Sequence, residues 1–169
     1  MTPQNSSRAK KAGVGAAGAA VLLALASPFI GVWEGKRNSP YRDIVGVLTV
    51  CYGETRGVQN RYYSDAECRS MLDEGVGEFG EAVAARNPEL VHYPFQWAAA
   101  TSLAYNIGIG AYSRSTVARR FDQGRWRSAC NNFLAWRYAG GREIRGLVNR
   151  RKAEREMCLT DIPSYYDRT

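Results

Sequence analysis

The chain opens on a long uncharged stretch and then alternates between two kinds of periodicity. Residues 12–33 carry no charge at all. At about 1.5 Å per helical residue such a run reaches about 33 Å, enough to cross a hydrocarbon core of about 30 Å. Half of it is Ala or Gly, so its hold on a bilayer is weak, and Ser27-Pro28 is expected to interrupt its last third. From Pro40 to about Tyr63 the chain is rich in Val, Ile, Thr and Tyr, with Gly46, Gly53 and Gly57 between them, which predicts short strands and tight turns in a small antiparallel sheet. At Ser64 the period changes. Ser64-Asp65-Ala66-Glu67 has the form of a capping box, and Met71, Leu72, Val76, Phe79 and Val83 recur at helical spacing up to an Asn87-Pro88 stop. A second helix starts at Pro94 and runs through Trp97, Leu103 and Tyr105 to a break at Gly108-Ile109-Gly110; being apolar nearly all round, it is the expected central helix. Shorter helices fit residues 115–122, 126–136 and 150–159. The fold class is α+β, a mainly helical domain with a small antiparallel sheet.

Composition agrees with a folded domain: 169 residues, 45% hydrophobic and 23% charged, exclude wholesale disorder. The charges also give the apolar run a direction. Arg8, Lys10 and Lys11 precede it and no acid does, so the positive-inside rule leaves the N-terminus in the cytoplasm and exports everything after Trp33. The chain thus divides into a signal-anchor segment, 1–33, and an exported domain, 34–169. A cleavable signal peptide is the competing reading, since Ala24-Leu25-Ala26 has the small-x-small form that signal peptidase accepts. Gly13-Val14-Gly15-Ala16-Ala17-Gly18 spells a dinucleotide fingerprint, but no strand precedes it. All four cysteines lie in the exported part, where an even count suggests disulfides; Cys51–Cys68 and Cys130–Cys158 are the expected pairs because each falls inside one block, although spacing leaves all three pairings open.

Net charge of +7 favours anionic polymers without choosing among them. Residues 64–89 hold seven acids against two bases, and 137–155 seven bases against two acids, which predicts a positive face at the C-terminal end, either a solvated surface or a track for an anionic polymer. Nucleic acid is not expected as a partner, because the bases come with many acids and no recognised module. His92 is the single histidine, so a His-rich metal site is excluded, and neither a metal nor a cofactor is expected.

The chemistry therefore falls to carboxylates, hydroxyls or thiols. Glu34 follows Gly31-Val32-Trp33, an apolar approach that would desolvate its carboxyl and keep it protonated as a general acid. Asp43 sits at the opening of a hairpin in polar company with Tyr41 and Arg42. One protonated acid opposite one carboxylate is what glycoside hydrolysis requires. Thr49, across the Gly46 turn, would hold a water beside Asp43.

The stretch Trp33-Glu34-Gly35 through Tyr41-Arg42-Asp43-Ile44-Val45-Gly46-Val47-Leu48-Thr49-Val50-Cys51-Tyr52-Gly53 resembles the phage-type lysozymes of glycoside hydrolase family 24, whose signature is Glu, eight residues, Asp, five residues, Thr. Ala104-Tyr105-Asn106-Ile107-Gly108, Ser115-Thr116, Trp136 with Tyr138-Ala139-Gly140-Gly141, and Gly146-Leu147-Val148 through Arg150-Arg151 and Glu154-Arg155 extend the resemblance over about residues 33–160. With its Ala/Gly-rich N-terminal run the chain is similar to signal-anchor-release endolysins of lambdoid phages.

The resemblance implies a lysozyme-like fold and an inverting glycosidase that cleaves the β-1,4 bond between N-acetylmuramic acid and N-acetylglucosamine in peptidoglycan. In that reading Glu34 is the acid, Asp43 stabilises charge on the sugar and orients water, and Thr49 positions that water, with Asn106 and Ser115 as sugar contacts. The expected setting is a monomer held in the host inner membrane through residues 12–33 and then released into the periplasm. Alternatives are a lytic transglycosylase on the same fold, which would not need Asp43 to serve a water, and a noncatalytic cationic protein of the wall or membrane. In one respect the chain departs from its relatives: many have Gly-His-Thr where Gly53-Glu54-Thr55 stands, and Glu54 is expected to pair structurally with an arginine. No cysteine precedes Cys51, which excludes a thiol switch through the anchor.

Overall fold

A computed structural model describes residues 14–43 and 45–167. Arg8, Lys10, Lys11, Gly13 and the start of the apolar run lie outside these residues, as does Ile44 of the signature stretch. The apolar run forms one continuous helix, α1 (Ala16–Glu34), despite Pro28. Proline removes one backbone donor and leaves the carbonyl four residues earlier without its usual partner. Here that carbonyl belongs to Ala24, and both Ala24 and Pro28 lie on the exposed side, so the expected interruption does not occur.

Helix α1 packs into the domain. Leu22, Ala26, Ser27 and Ile30 are buried, a stripe at helical spacing set against α2 (Asp65–Arg86) and α3 (Pro94–Ile107). The expected division between residues 33 and 34 therefore falls inside a helix whose inner face is core, while its outer face, including Val21 and Val32, is exposed. Gly80 of α2 makes the seat: a Cβ there would stand 2.1 Å from Leu22 Cδ2, and its carbonyl accepts from Trp97 Nε1 at 2.9 Å.

Helix α2 starts with the predicted capping box, the Ser64 side chain accepting from the Glu67 amide and the Glu67 carboxylate from the Ser64 amide. Helix α3 is the central one, buried without a break from Gln96 to Ala104. After it come α4 (Ile109–Arg114), α5 (Thr116–Asp122), α6 (Trp126–Asn132) with a 3-10 turn over Phe133–Ala135, and α7 (Arg145–Leu159). The break expected at 108–110 is only a change of direction before α4, and the expected 126–136 helix is split. Helix α7 begins five residues before the predicted start, because Leu147 and Val148 are partly buried and extend its packed face.

The sheet is smaller than expected. Strands β1 (Arg37–Arg42) and β2 (Leu48–Cys51) pair antiparallel, Val50 and Glu54 add one bridge, and residues 55–63 form turns. A second hairpin joins β3 (Tyr138–Ala139) to β4 (Arg142–Glu143). Disulfides link Cys51 to Cys68 and Cys130 to Cys158, tying β2 to α2 and α6 to α7.

Candidate active site

Glu34 is the last residue of α1, and the chain leaves the helix through Gly35 at φ 69°, a left-handed conformation that a side chain would strain. Its Oε1 accepts from Arg150 Nη1 at 2.6 Å, with the Glu34 side chain 23% exposed and the Arg150 side chain 4%. Arg150 is itself held from behind: Nε donates to Glu154 Oε1 at 3.1 Å, and Nη2 to the Ser102 carbonyl at 3.3 Å. Glu154, fully buried, also accepts from Ser102 Oγ at 2.6 Å and Arg151 Nη2 at 2.8 Å. Burial by itself pushes the Glu154 carboxyl up and the Arg151 guanidinium down, and each offsets the other's lost hydration.

This corrects two expectations. The group in direct contact with Glu34 is a guanidinium rather than an apolar side chain, because α7 packs on α3 and Arg150 reaches from it to the end of α1. Arg150 and Arg151 belong to an interior network of compensated charge, so neither contributes to a solvated positive face or a polymer track.

Asp43 and Thr49 form a separate, local unit in the β1–β2 turn. Asp43 Oδ1 accepts from the amides of Val45 at 3.0 Å and Val47 at 2.8 Å, and its backbone carbonyl accepts from Gly46 at 3.0 Å, with Gly46 at φ 84°. These bonds make the carboxylate the clasp of its own turn. Thr49, 4% exposed and opposite Tyr41, donates its hydroxyl to the Val47 carbonyl at 3.0 Å. The turn thus brings Asp43 and Thr49 together through Val47, and β1 connects it to Glu34.

A cleft of about 630 Å³ opens beside Glu34. Its walls include Glu54, Met71, Glu74, Phe79 and Tyr105, whereas Asp43 and Thr49 stand outside this lining. Glu54 does not pair with an arginine as expected, since Arg56 is taken by Glu78 at 2.8 Å. Instead Glu54 Oε2 accepts from the Tyr52 amide at 2.9 Å and Oε1 from the Tyr105 hydroxyl at 3.3 Å. Burial, reinforced by the negative charge of Glu34, pushes the Glu54 carboxyl up against the pull of these hydrogen bonds. Burial and the same two carboxylates push the Tyr105 hydroxyl up.

Asn106, next to Tyr105 near the end of α3, is exposed. Ser115 is 5% exposed and caps α5 by accepting from the Ala118 amide at 3.0 Å, which leaves it no face toward a sugar. Sequence reasoning singled out Glu54 but missed Arg150 as the support of Glu34 and Tyr105 as the partner of Glu54. The one available signal was the mixed Arg150-Arg151 and Glu154 spacing, which on a helix puts opposite charges on one face.

A profile of the phage lysozyme family matches residues 31–154. The SAR-endolysin of Bacteriophage PS119 is 39% identical over 130 residues, covering 75% of this chain and 76% of that protein. The SAR-endolysin of Enterobacteria phage P21 is 39% identical over 130 residues, covering 75% and 77%. Among solved structures, the active form of the P1 phage endolysin superposes with a TM-score of 0.70 at 26% identity, covering 79% of this chain and 82% of that one.

Proposed function

This chain belongs to the phage lysozyme family, and we infer that it is a peptidoglycan-degrading endolysin, a muramidase that opens the β-1,4 bond between N-acetylmuramic acid and N-acetylglucosamine. The observation that carries the reading is the placement of Glu34 at the edge of the cleft with Oε1 clamped by buried Arg150, which leaves Oε2 for a ligand. Glu34 gives its proton to the glycosidic oxygen as the bond from that oxygen to the anomeric carbon breaks. Asp43 steadies the positive charge that develops on the sugar and takes a proton from the attacking water. Thr49, whose hydroxyl hydrogen is committed to Val47, offers its lone pairs to the same water. Water arriving opposite the leaving group inverts the anomeric centre, and Asn106 contacts the sugar from the end of α3.

The N-terminal helix gives this activity a restraint. Helix α1 is apolar on both faces and has the length and hydropathy of a membrane span. Leu22, Ala26 and Ile30 cannot lie in lipid and in the protein core at once, so the anchored and docked states exclude each other. Anchored with the domain in the periplasm, the enzyme has Glu34 away from Arg150. After release, docking of α1 delivers Glu34 to the site, which requires the helix to be retained rather than cleaved after Ala26.

The test uses the full-length, membrane-free protein on outer-membrane-permeabilised Gram-negative cells, with mass analysis of the fragments. Wild type is expected to clear the cells and release reducing-end muramic acid, and Glu34→Gln to lose at least about a hundredfold of that rate. An anhydro product would make the chain a transglycosylase. Equal clearing by both proteins would make it a noncatalytic cationic agent.

A further inference from the structure

Glu54 is a half-buried carboxylate of the cleft that the proposed reaction does not use. It is held from two independent elements, by the Tyr52 amide within its own turn and by the Tyr105 hydroxyl from α3. Neither donor carries a charge, so its negative charge is not cancelled by direct contact. The charged and titratable groups around it come from every wall. Glu34 arrives from α1 with Arg150 of α7 behind it, Glu74 and Glu78 line the cleft from α2, Tyr105 comes from α3, and Arg56 stands in the same turn but is bonded to Glu78. The proposed proton donor therefore has a guanidinium in contact at 2.6 Å and shares its cleft with a fixed carboxylate.

We propose that Glu54 is a positioning residue of the reaction: held by Tyr52 and Tyr105 across the cleft, its negative charge counterbalances that of Arg150 on the proton donor Glu34 and so extends the working range of the enzyme toward alkaline pH. The proposal rests on the muramidase reading given above. The shared cleft supports it, since Glu34 and Glu54 line the same cavity and the charge of Glu34 raises the Glu54 carboxyl. An arginine beside a general acid, unopposed, favours loss of the very proton that the reaction needs. The carboxylate of Glu54 supplies the opposition.

The test is the pH profile of kcat/KM for the full chain on purified peptidoglycan. Glu54→Gln keeps one acceptor, for the Tyr52 amide, and removes the charge together with the acceptor for the Tyr105 hydroxyl, whose separate share Tyr105→Phe reads. Its alkaline limb, which reports loss of the donor's proton, is expected to move about one pH unit toward acid, the scale of one charge–charge interaction across a partly solvated cleft. Glu54→Asp, which keeps the charge, is expected to restore most of the limb. Tyr105→Phe removes one hydrogen bond to the Glu54 carboxylate and is expected to move the limb a smaller distance the same way. An alkaline limb unmoved in Glu54→Gln, with a thermal midpoint near wild type, would overturn the proposal and leave Glu54 a turn-forming residue. Should Glu54→Gln not fold, the limb of Tyr105→Phe decides in its place, an unmoved limb again counting against the role. The muramidase reading fails separately, through undiminished release of muramic acid by Glu34→Gln at every pH.

Discussion

The two carboxylates proposed to share the reaction are held in opposite ways. Asp43 is fixed by amides two and four residues ahead of it, so its turn is complete within residues 43–47. Glu34 is fixed by Arg150, 116 positions along the chain, through a network that also needs Ser102 and Glu154. A locally closed site forms whenever its hairpin forms. A site closed by distant parts exists only in one global arrangement, here the one with α1 docked. The contrast makes Glu34 the natural point of control and Asp43 a fixture that is ready beforehand.

Three substitutions separate the two halves. The largest effect is expected at Arg150. Arg150→Ala leaves Glu154 with less compensation and Glu34 without its clamp, and removing one partner of a buried ion pair costs about 3–5 kcal/mol. Denaturant melts should show that loss, and clearing activity should fall with it even where the protein remains folded. Next is Gly80→Leu, which fills the seat of Leu22; overpacking of this kind costs about 1–3 kcal/mol. Hydrogen exchange should show α1 losing protection while α2 and α3 keep theirs, and activity should drop because Glu34 rides on α1. If α1 keeps its protection in this variant, docking does not depend on that seat. The smallest structural effect belongs to Asp43→Asn, which retains an acceptor for Val45 and Val47 and should cost about 1 kcal/mol or less, while lowering muramidase turnover by about a hundredfold or more. A shift of the melting midpoint as large as that of Arg150→Ala would contradict the locality of the turn.

The same contrast between local and distant partners explains which features are legible in the amino-acid sequence. The start of α2 is legible because Ser64 and Glu67 satisfy each other's backbone within one turn. The identity of α3 is legible because a helix apolar on all sides has to be surrounded. Helix α4 is hidden by Gly108 and Gly110, which read as a break although Tyr112 packs fully into the core. Arg150 reads as surface charge because nothing within a few residues announces a distant Glu34, Arg151 because its spacing to Glu154 does not tell a buried pair from an exposed one, and Ser115 reads as a ligand contact because its cap geometry is indistinguishable from any Ser-Thr pair until α5 is in place.

By itself, then, the sequence determined the helical and strand periods, the spacing of Glu34, Asp43 and Thr49, the family, and an apolar run able to enter a membrane, since each of these is written in residue types at short separation. Only the tertiary structure decided that the run is also a core helix, that Glu34 is clamped by a buried arginine, and that Glu54 shares its cleft. Those outcomes depend on where α1, α3 and α7 cross, and the free energy that sets the crossing is shared among residues more than a hundred positions apart.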